Sequence, residues 1–227
     1  MLSYSGATYT YTIIISCIII IISFIGNIYA QNFTIARIQY SGGGDWYSDP
    51  SSIPNLLEFV QKNTPMAVNT KEVRLKLTDA NAGHYPYLYL TGHGNIRFTD
   101  DEVIALRSML MNGSFLHADD NYGMDQSFRR EIKRVFPNKD LIPLPHNHPI
   151  FSSYFRIESG LPKVHEHNNN PPQALGLYDN NRLILLYTFE SDLGDGWEDS
   201  SVHNDPWPIR QAALKMGTNI IYFSLTQ

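Results

Sequence analysis

Two segments decide the fold: Tyr87-Leu88-Tyr89-Leu90-Thr91-Gly92-His93-Gly94 and Phe115-Leu116-His117-Ala118-Asp119-Asp120. Each is a short apolar run that ends in polar or turn-forming residues. Between them, Thr99 and Glu102 have the spacing of a capping box, Val103, Leu106 and Leu110 recur at helical period, and Gly113 follows as a stop. Two apolar strands on either side of one amphipathic helix form a βαβ unit, which implies a parallel sheet. Ligands of such sheets bind outside the carboxyl ends of the strands. Those ends here carry Gly92, His93, Gly94, His117, Asp119 and Asp120, which makes them candidate site residues.

The same alternation continues outward. Phe33 to Tyr40 reads as a first strand and runs into Gly42-Gly43-Gly44-Asp45-Trp46-Tyr47. That loop lacks the G-x-G-x-x-G spacing of a dinucleotide fingerprint and the Lys-Ser/Thr of a P-loop. Two readings stand for it. In one, Gly43, Gly44, Asp45 and Trp46 bind a polar ligand by close backbone approach, a carboxylate and a flat ring; in the other, they form a turn whose aromatics cover the core. Ile53, Leu56, Leu57 and Val60 predict a helix, and Val73 to Leu77 a short strand. Asp125 is expected to cap a further helix that buries Phe128, Ile132 and Val135. Its opposite face, Arg129, Arg130, Lys133 and Arg134, reads as solvated. Prolines and polar residues from Asn138 to Asp179 forbid long helices. Arg182 to Phe189 is a buried strand, and Glu190 to Ser201 an acidic loop. Pro206 to Gly217 is expected to be a helix, and Asn219 to Leu225 a closing strand. The expected architecture is a single α/β domain over residues 32–227, with strand cores near Ile35, Leu75, Leu88, Leu116, Leu185 and Ile221.

Residues 1–30 are of a different character. They carry no charged side chain, Thr12 to Ile25 is almost wholly apolar, and the segment ends Tyr29-Ala30 before Gln31. It is expected to act as a cleaved signal peptide that exports the chain to the periplasm or cell envelope. The alternative is an uncleaved anchor that attaches it to the cytoplasmic membrane through residues 12–29. The one cysteine, Cys17, lies inside this segment. Beyond Ala30 there is thus no thiol for a disulfide, a nucleophile or a metal.

The chain has 227 residues, 17% of them charged, and a net charge of -5, so an electrostatic attraction to nucleic acid is not expected. All eight histidines lie beyond the apolar segment. His93, His117 and Asp119 are the candidate metal ligands, since imidazole and carboxylate are what zinc uses when thiolates are missing. No H-E-x-x-H spacing supports them, and each also has a structural reading. His93 can shape its own turn, and Asp119 and Asp120 can cap the turn that follows.

Residues Arg37 to Thr226 closely resemble a bacterial family catalogued as domain of unknown function 4159. The segments that carry the resemblance are Arg37-x-x-Tyr40-x-Gly42-Gly43-Gly44-Asp45-Trp46-Tyr47, Tyr87-x-Tyr89-Leu90-Thr91-Gly92-His93-Gly94, Asp119-Asp120, Phe128-Arg129-Arg130, Asp192-x-Gly194-Asp195-Gly196-Trp197-Glu198 and Gly217-x-Asn219. The resemblance implies a flavodoxin-like, mainly parallel open sheet flanked by helices, similar in fold to class I glutamine amidotransferases. It implies no established activity. On that fold Thr91 to Gly94 would stand at the oxyanion loop, and His117 to Asp120 at the nucleophile turn. No Cys or Ser is present there, and a carboxylate is a poor nucleophile toward an amide, so glutamine hydrolysis by the usual route is not expected. Two functions follow. One is an exported, non-catalytic module binding a small-molecule or protein ligand at the strand-end loops. The other is a hydrolase in which His93 or His117 with Asp119 or Asp120 activates water, with or without a metal.

Overall fold

The computed structural model describes residues 32–227, so the expected export signal or anchor lies outside the described residues. Among the described residues no helix is long and apolar enough to cross a membrane. The strands are β1 (Ala36–Ile38), β2 (Val73–Leu75), β3 (Tyr87–Gly92), β4 (Phe115–Asp120), β5 (Ile142–Pro143), β6 (Gln173–Asp179) and β7 (Arg182–Phe189). They form one seven-stranded sheet in the order β2-β1-β3-β4-β7-β6-β5. Pairs from β2 through β7 are parallel, while β6 runs antiparallel to both β7 and β5. This mostly parallel α/β sheet is compatible with the flavodoxin-like expectation. The order turns back between β1 and β3, the kind of switch point at which open α/β sheets bind ligands.

Helices cover both faces. Helices α1 (Ser52–Asn63), α2 (Asp100–Met111) and α3 (Asp125–Val135) follow β1, β3 and β4. The chain ends in two short helices, α4 (Leu193–Trp197) and α5 (Ser200–His203), and one long one, α6 (Trp207–Thr226). Side chains alternate along each strand. Leu88, Leu90, Leu116, Ala118 and Leu185 therefore pack under α2 and α3, while Tyr87, Tyr89, Phe115 and Leu186 pack under α1 and α6. Thr99 and Glu102 do form the expected capping box.

The expected closing strand, Asn219 to Leu225, is instead the last two turns of α6. The aromatic and β-branched run Ile220-Ile221-Tyr222-Phe223 suggests a strand, but burial of Ala213, Met216, Gly217, Ile220 and Ile221 follows the helical period. Gly217 does not stop the helix. Leu56 and Trp197 pack directly on it, where a Cβ would lie 2.7 Å from Leu56 Cδ1 and 2.8 Å from Trp197 Cζ2. Two strands, β5 and β6, come instead from the proline-rich stretch, and β6 turns into β7 through Asn180 at φ 46°. The first strand is also shorter than expected, and helix α3 begins at Asp125 behind Met124, with no side-chain cap.

Candidate functional site

The carboxyl ends of β1 and β3 are joined as the topology requires. Gly44 N–H donates to Asn95 O (2.9 Å), Arg97 N–H to Ser41 O (2.7 Å) and Asn95 Nδ2 to Gly42 O (2.9 Å). Asp45 accepts the backbone N–H of His93 and lies 3.1 Å from His93 Nδ1 through its second oxygen. Gly92 makes this approach possible: at φ +136° its Cα hydrogens face the Asp45 backbone, to which a Cβ would come within 3.0 Å. The loop expected to hold a ligand is thus first a clamp between two strands. Gly43 and Gly94 stay exposed, and Trp46 rests half-buried against the core.

Behind this clamp lies Arg37, which is fully buried. Its guanidinium bonds Glu72 (2.8 Å), Ser48 O (2.8 Å), Asp49 O (3.1 Å) and Ser52 Oγ (3.3 Å). It pins the Trp46–Asp49 loop at the sheet edge through carbonyl oxygens and leaves the Asp49 carboxylate for other partners. The five-donor fork suits this work.

Strand alternation separates the candidates on β4. His117 and Asp119 project toward α1 and α6, and Asp120 toward α3. His117 is wholly buried, with Nδ1 3.1 Å from the Tyr87 hydroxyl and Nε2 3.0 Å from Thr188 Oγ1. Thr188 gives its proton to Asp119, so it accepts from His117 Nε2–H, and Nδ1 accepts from Tyr87. Burial pushes the imidazole down to about 3. Desolvation disfavours the charged ring. Asp119 is equally buried and accepts from Gly194 N–H (2.7 Å), Tyr89 OH (3.3 Å) and Thr188. Burial raises it to about 7 against those hydrogen bonds, with Asp49 adding to the rise. Asp120 accepts from Met124 N–H (3.1 Å) and Tyr187 OH (3.2 Å), and burial raises it to about 6. Neither His117 nor Asp119 reaches solvent; both serve as internal hydrogen-bond hubs.

What lies over Asp119 is the part that local sequence reading missed. The segment Asp192-Leu193-Gly194-Asp195-Gly196-Trp197-Glu198, read as an acidic loop, winds through α4 onto the sheet edge. A Cβ at Gly194 would lie 2.9 Å from Tyr89 Oη and 3.1 Å from Asp49 Oδ2, so only glycine lets this backbone touch the strand ends. Around it gather Asp49, Asn121, Asp192, Asp195 and Glu198, with the imidazoles of His165 and His167 from an earlier loop and of His203 from the next helix. His165 Nδ1 is 2.8 Å from Asp195 Oδ2, and its Nε2 is 3.2 Å from Asp205. His203 Nε2 stands 3.7 Å from both Asp195 Oδ1 and Glu198 Oε2. His167 bonds Asp192 and stacks on Tyr122 at 4.4 Å between ring centres. Asn121 bridges Asp49 and, at 3.4 Å, Asp195.

Electrostatically the cluster is unbalanced. Burial and the charges of Asp119 and Asp195 hold Asp192 up at about 9. Burial and Asp49 push Asp195 upward, and burial does the same to Asp49. Among the described residues no Lys or Arg side chain pairs with the carboxylates of Asp49, Asp192, Asp195 or Glu198. Asp49, Tyr122, Glu190, Asp192 and Asn204 all take positive φ angles of 52–74°, a costly backbone state for non-glycine residues. Thr91, at the end of β3, donates to Asn121 Oδ1 (3.1 Å), so the clamp adjoins this cluster.

Among the described residues, two groups of side chains have donor atoms within 4.8 Å of one another and so could hold a metal: His165, Asp195 and His203; and Asp49, Glu198 and His203. The expected set His93, His117 and Asp119 forms no such group. A depression of about 830 Å³ lies elsewhere, between Arg97, Arg130, Arg134, Asp100 and Glu131. Its Arg130 and Arg134 are already paired with Glu131 and Asp100. Together with Arg129 on Asp125 and Lys133 on Asp140, they account for the basic face of α3 as surface ion pairs.

The family description "Domain of unknown function (DUF4159)" matches residues 34–225. The chain belongs to this family. No curated protein matches it. Every segment of the DUF4159 domain quoted above from the sequence falls within that range. The structure gives several of them a common purpose: Arg37, Asp45, His93, Asp119, Gly194 and Asp195 build one edge of the sheet.

Proposed function

We propose that this chain is an exported, non-catalytic module that binds a polar ligand at the carboxyl edge of its sheet. One observation carries the reading. Asp49, Asp192, Asp195 and Glu198 converge there, Asp49 and Asp192 on left-handed backbone, and among the described residues no Lys or Arg side chain pairs with them, so that imidazoles are the cationic partners within reach. Burying carboxylates with so few cations costs stability, and such clusters are candidates for functional sites. The flavodoxin-like sheet supports the likeness to amidotransferases. The turn after β4, however, offers Asp119 and Asp120 on opposite faces, each committed to internal hydrogen bonds, so covalent acyl transfer has no nucleophile there. A water-activating role for His117 lacks support, since the ring is sealed from solvent and burial makes it a weak base.

Amide hydrogen exchange of the full-length protein tests the reading, with amines, amino acids, sugars and divalent metal salts supplied in turn. A ligand of this module should slow exchange in residues 45–49, 163–167 and 192–205. Protection confined to the Arg97–Arg134 depression would move the site, and no protection by any ligand would remove it. Fractionation of cells that express a tagged copy tests export; a cytoplasmic protein that retains Met1 would refute that part.

A further inference from the structure

The cluster over Asp119 has features that a network of ion pairs does not need. His203 Nε2 is 3.7 Å from one oxygen of Asp195 and 3.7 Å from one oxygen of Glu198. Neither distance is a hydrogen bond. Both suit donors that share one ion, because bonds of about 2.0–2.2 Å in a tetrahedron separate ligand atoms by about 3.3–3.6 Å. His165 presents Nδ1 to the same Asp195 at 2.8 Å. Its other nitrogen lies 3.2 Å from Asp205, so Asp205 is placed to hold a proton on Nε2 when Nδ1 takes a metal. A carboxylate behind a histidine is the usual outer support of a metal ligand. Glu198 is oriented too: Oε1 accepts from Ser51 N–H (3.1 Å) and Ser51 Oγ (3.0 Å), which leaves Oε2 on the His203 side.

A second, independent observation points the same way. Asp192, three residues before Asp195, is 1% exposed, yet its Oδ1 has no hydrogen-bond partner. A buried carboxylate oxygen without a donor is rare unless a cation or water serves it.

We propose that His165, Asp195 and His203 bind one divalent first-row transition-metal ion, with Glu198 as the adjoining oxygen donor and Asp205 as the support of His165. The proposal rests on the ligand-binding reading and names the ligand. Imidazole donors select against magnesium and calcium, and the lack of thiolate selects against copper(I), which leaves zinc, manganese, iron(II), cobalt, nickel or copper(II). The second group, Asp49, Glu198 and His203, shares His203 and has one imidazole, so it does not fill independently. The His203 side chain is 29% exposed, which gives the ion a way in.

The experiment uses full-length protein treated with chelator and then titrated with zinc chloride, with metal content measured after gel filtration. About one zinc per chain should be retained. His203→Ala and His165→Ala should each weaken binding at least tenfold, and Asp205→Asn about 10- to 100-fold, the range for lost outer-shell support. Circular dichroism confirms the fold of each variant, and His203 is on the surface, so its removal leaves the core intact. His84→Ala, a change at an exposed histidine elsewhere, should bind like wild type. Cobalt(II) in place of zinc should give visible absorption bands that His203→Ala abolishes. Failure to retain zinc, manganese or iron, or wild-type affinity in both His165→Ala and His203→Ala, overturns the metal site. If an organic ligand still protects residues 163–167 and 192–205, the ligand-binding reading survives that failure; if nothing does, both fall.

Discussion

Replacing His117 with Gln should remove about 2 kcal/mol of the destabilisation that the protein suffers between pH 7.5 and pH 5. The ring is fully buried between Tyr87 and Thr188, and burial lowers it from 6.5 to about 3. Between those values the unfolded chain binds a proton that the native protein does not. Stability from this group is therefore complete above pH 6.5 and falls as the pH drops through that window. At pH 5 the medium is about 1.5 pH units below the unfolded value, and each unit is worth about 1.4 kcal/mol, which gives about 2 kcal/mol. Gln keeps one acceptor and one donor for Tyr87 and Thr188 but does not titrate. Urea denaturation of both proteins at pH 5, 6 and 7.5 supplies the measurement, and groups common to the two cancel in the difference. The wild-type disadvantage should grow as pH falls. Parallel stability curves, or an imidazole that titrates near pH 6 in the folded protein by NMR, would refute the reasoning.

Other substitutions test the same account. Asp119→Ala strands the Gly194 N–H and the Tyr89 hydroxyl in the interior and should cost about 2–5 kcal/mol, read by urea denaturation at neutral pH. A loss below 0.5 kcal/mol, within the usual range for surface changes, would show that Asp119 is not a hub. Arg37→Met leaves Glu72 with Arg74 as its remaining partner and strands Ser48 O, Asp49 O and Ser52 Oγ, and should cost about 2–4 kcal/mol. It should also speed amide exchange in residues 45–49, and an unchanged loop would contradict the anchoring role. Gly217→Ala separates two effects of opposite sign. Helix propensity alone favours Ala by about 1 kcal/mol, whereas the contact with Leu56 and Trp197 disfavours it by about 1–3 kcal/mol. Net destabilisation in thermal melts is expected, and a higher melting temperature would mean that α6 sits farther from α1 than described.

Periodicity and capping signals by themselves determined the elements whose stability is local. The helix from Thr99 carries its capping box in four consecutive residues, and Arg182 to Phe189 is apolar enough to be a buried strand in any context. Those signals placed β3 and β4 side by side and located the edge where a site would form. They failed where a distant neighbour decides the outcome. Ile220 to Phe223 has strand-like composition, but α6 continues because Leu56 and Trp197 close over Gly217. Strand β6 was hidden behind Pro171 and Pro172, since its pairing partner β7 comes later in the chain. The histidines show the division most clearly. His93 and His117 stood out because each lies at a strand end beside glycine or aspartate. His165, His167 and His203 carried no such mark, the first two lying in irregular chain well before Asp195 and the third in a short helix just after Glu198. Only the folding of the Gly194 backbone onto Asp119 brings those carboxylates to the imidazoles, and a contact made across the sheet edge leaves no period in the sequence.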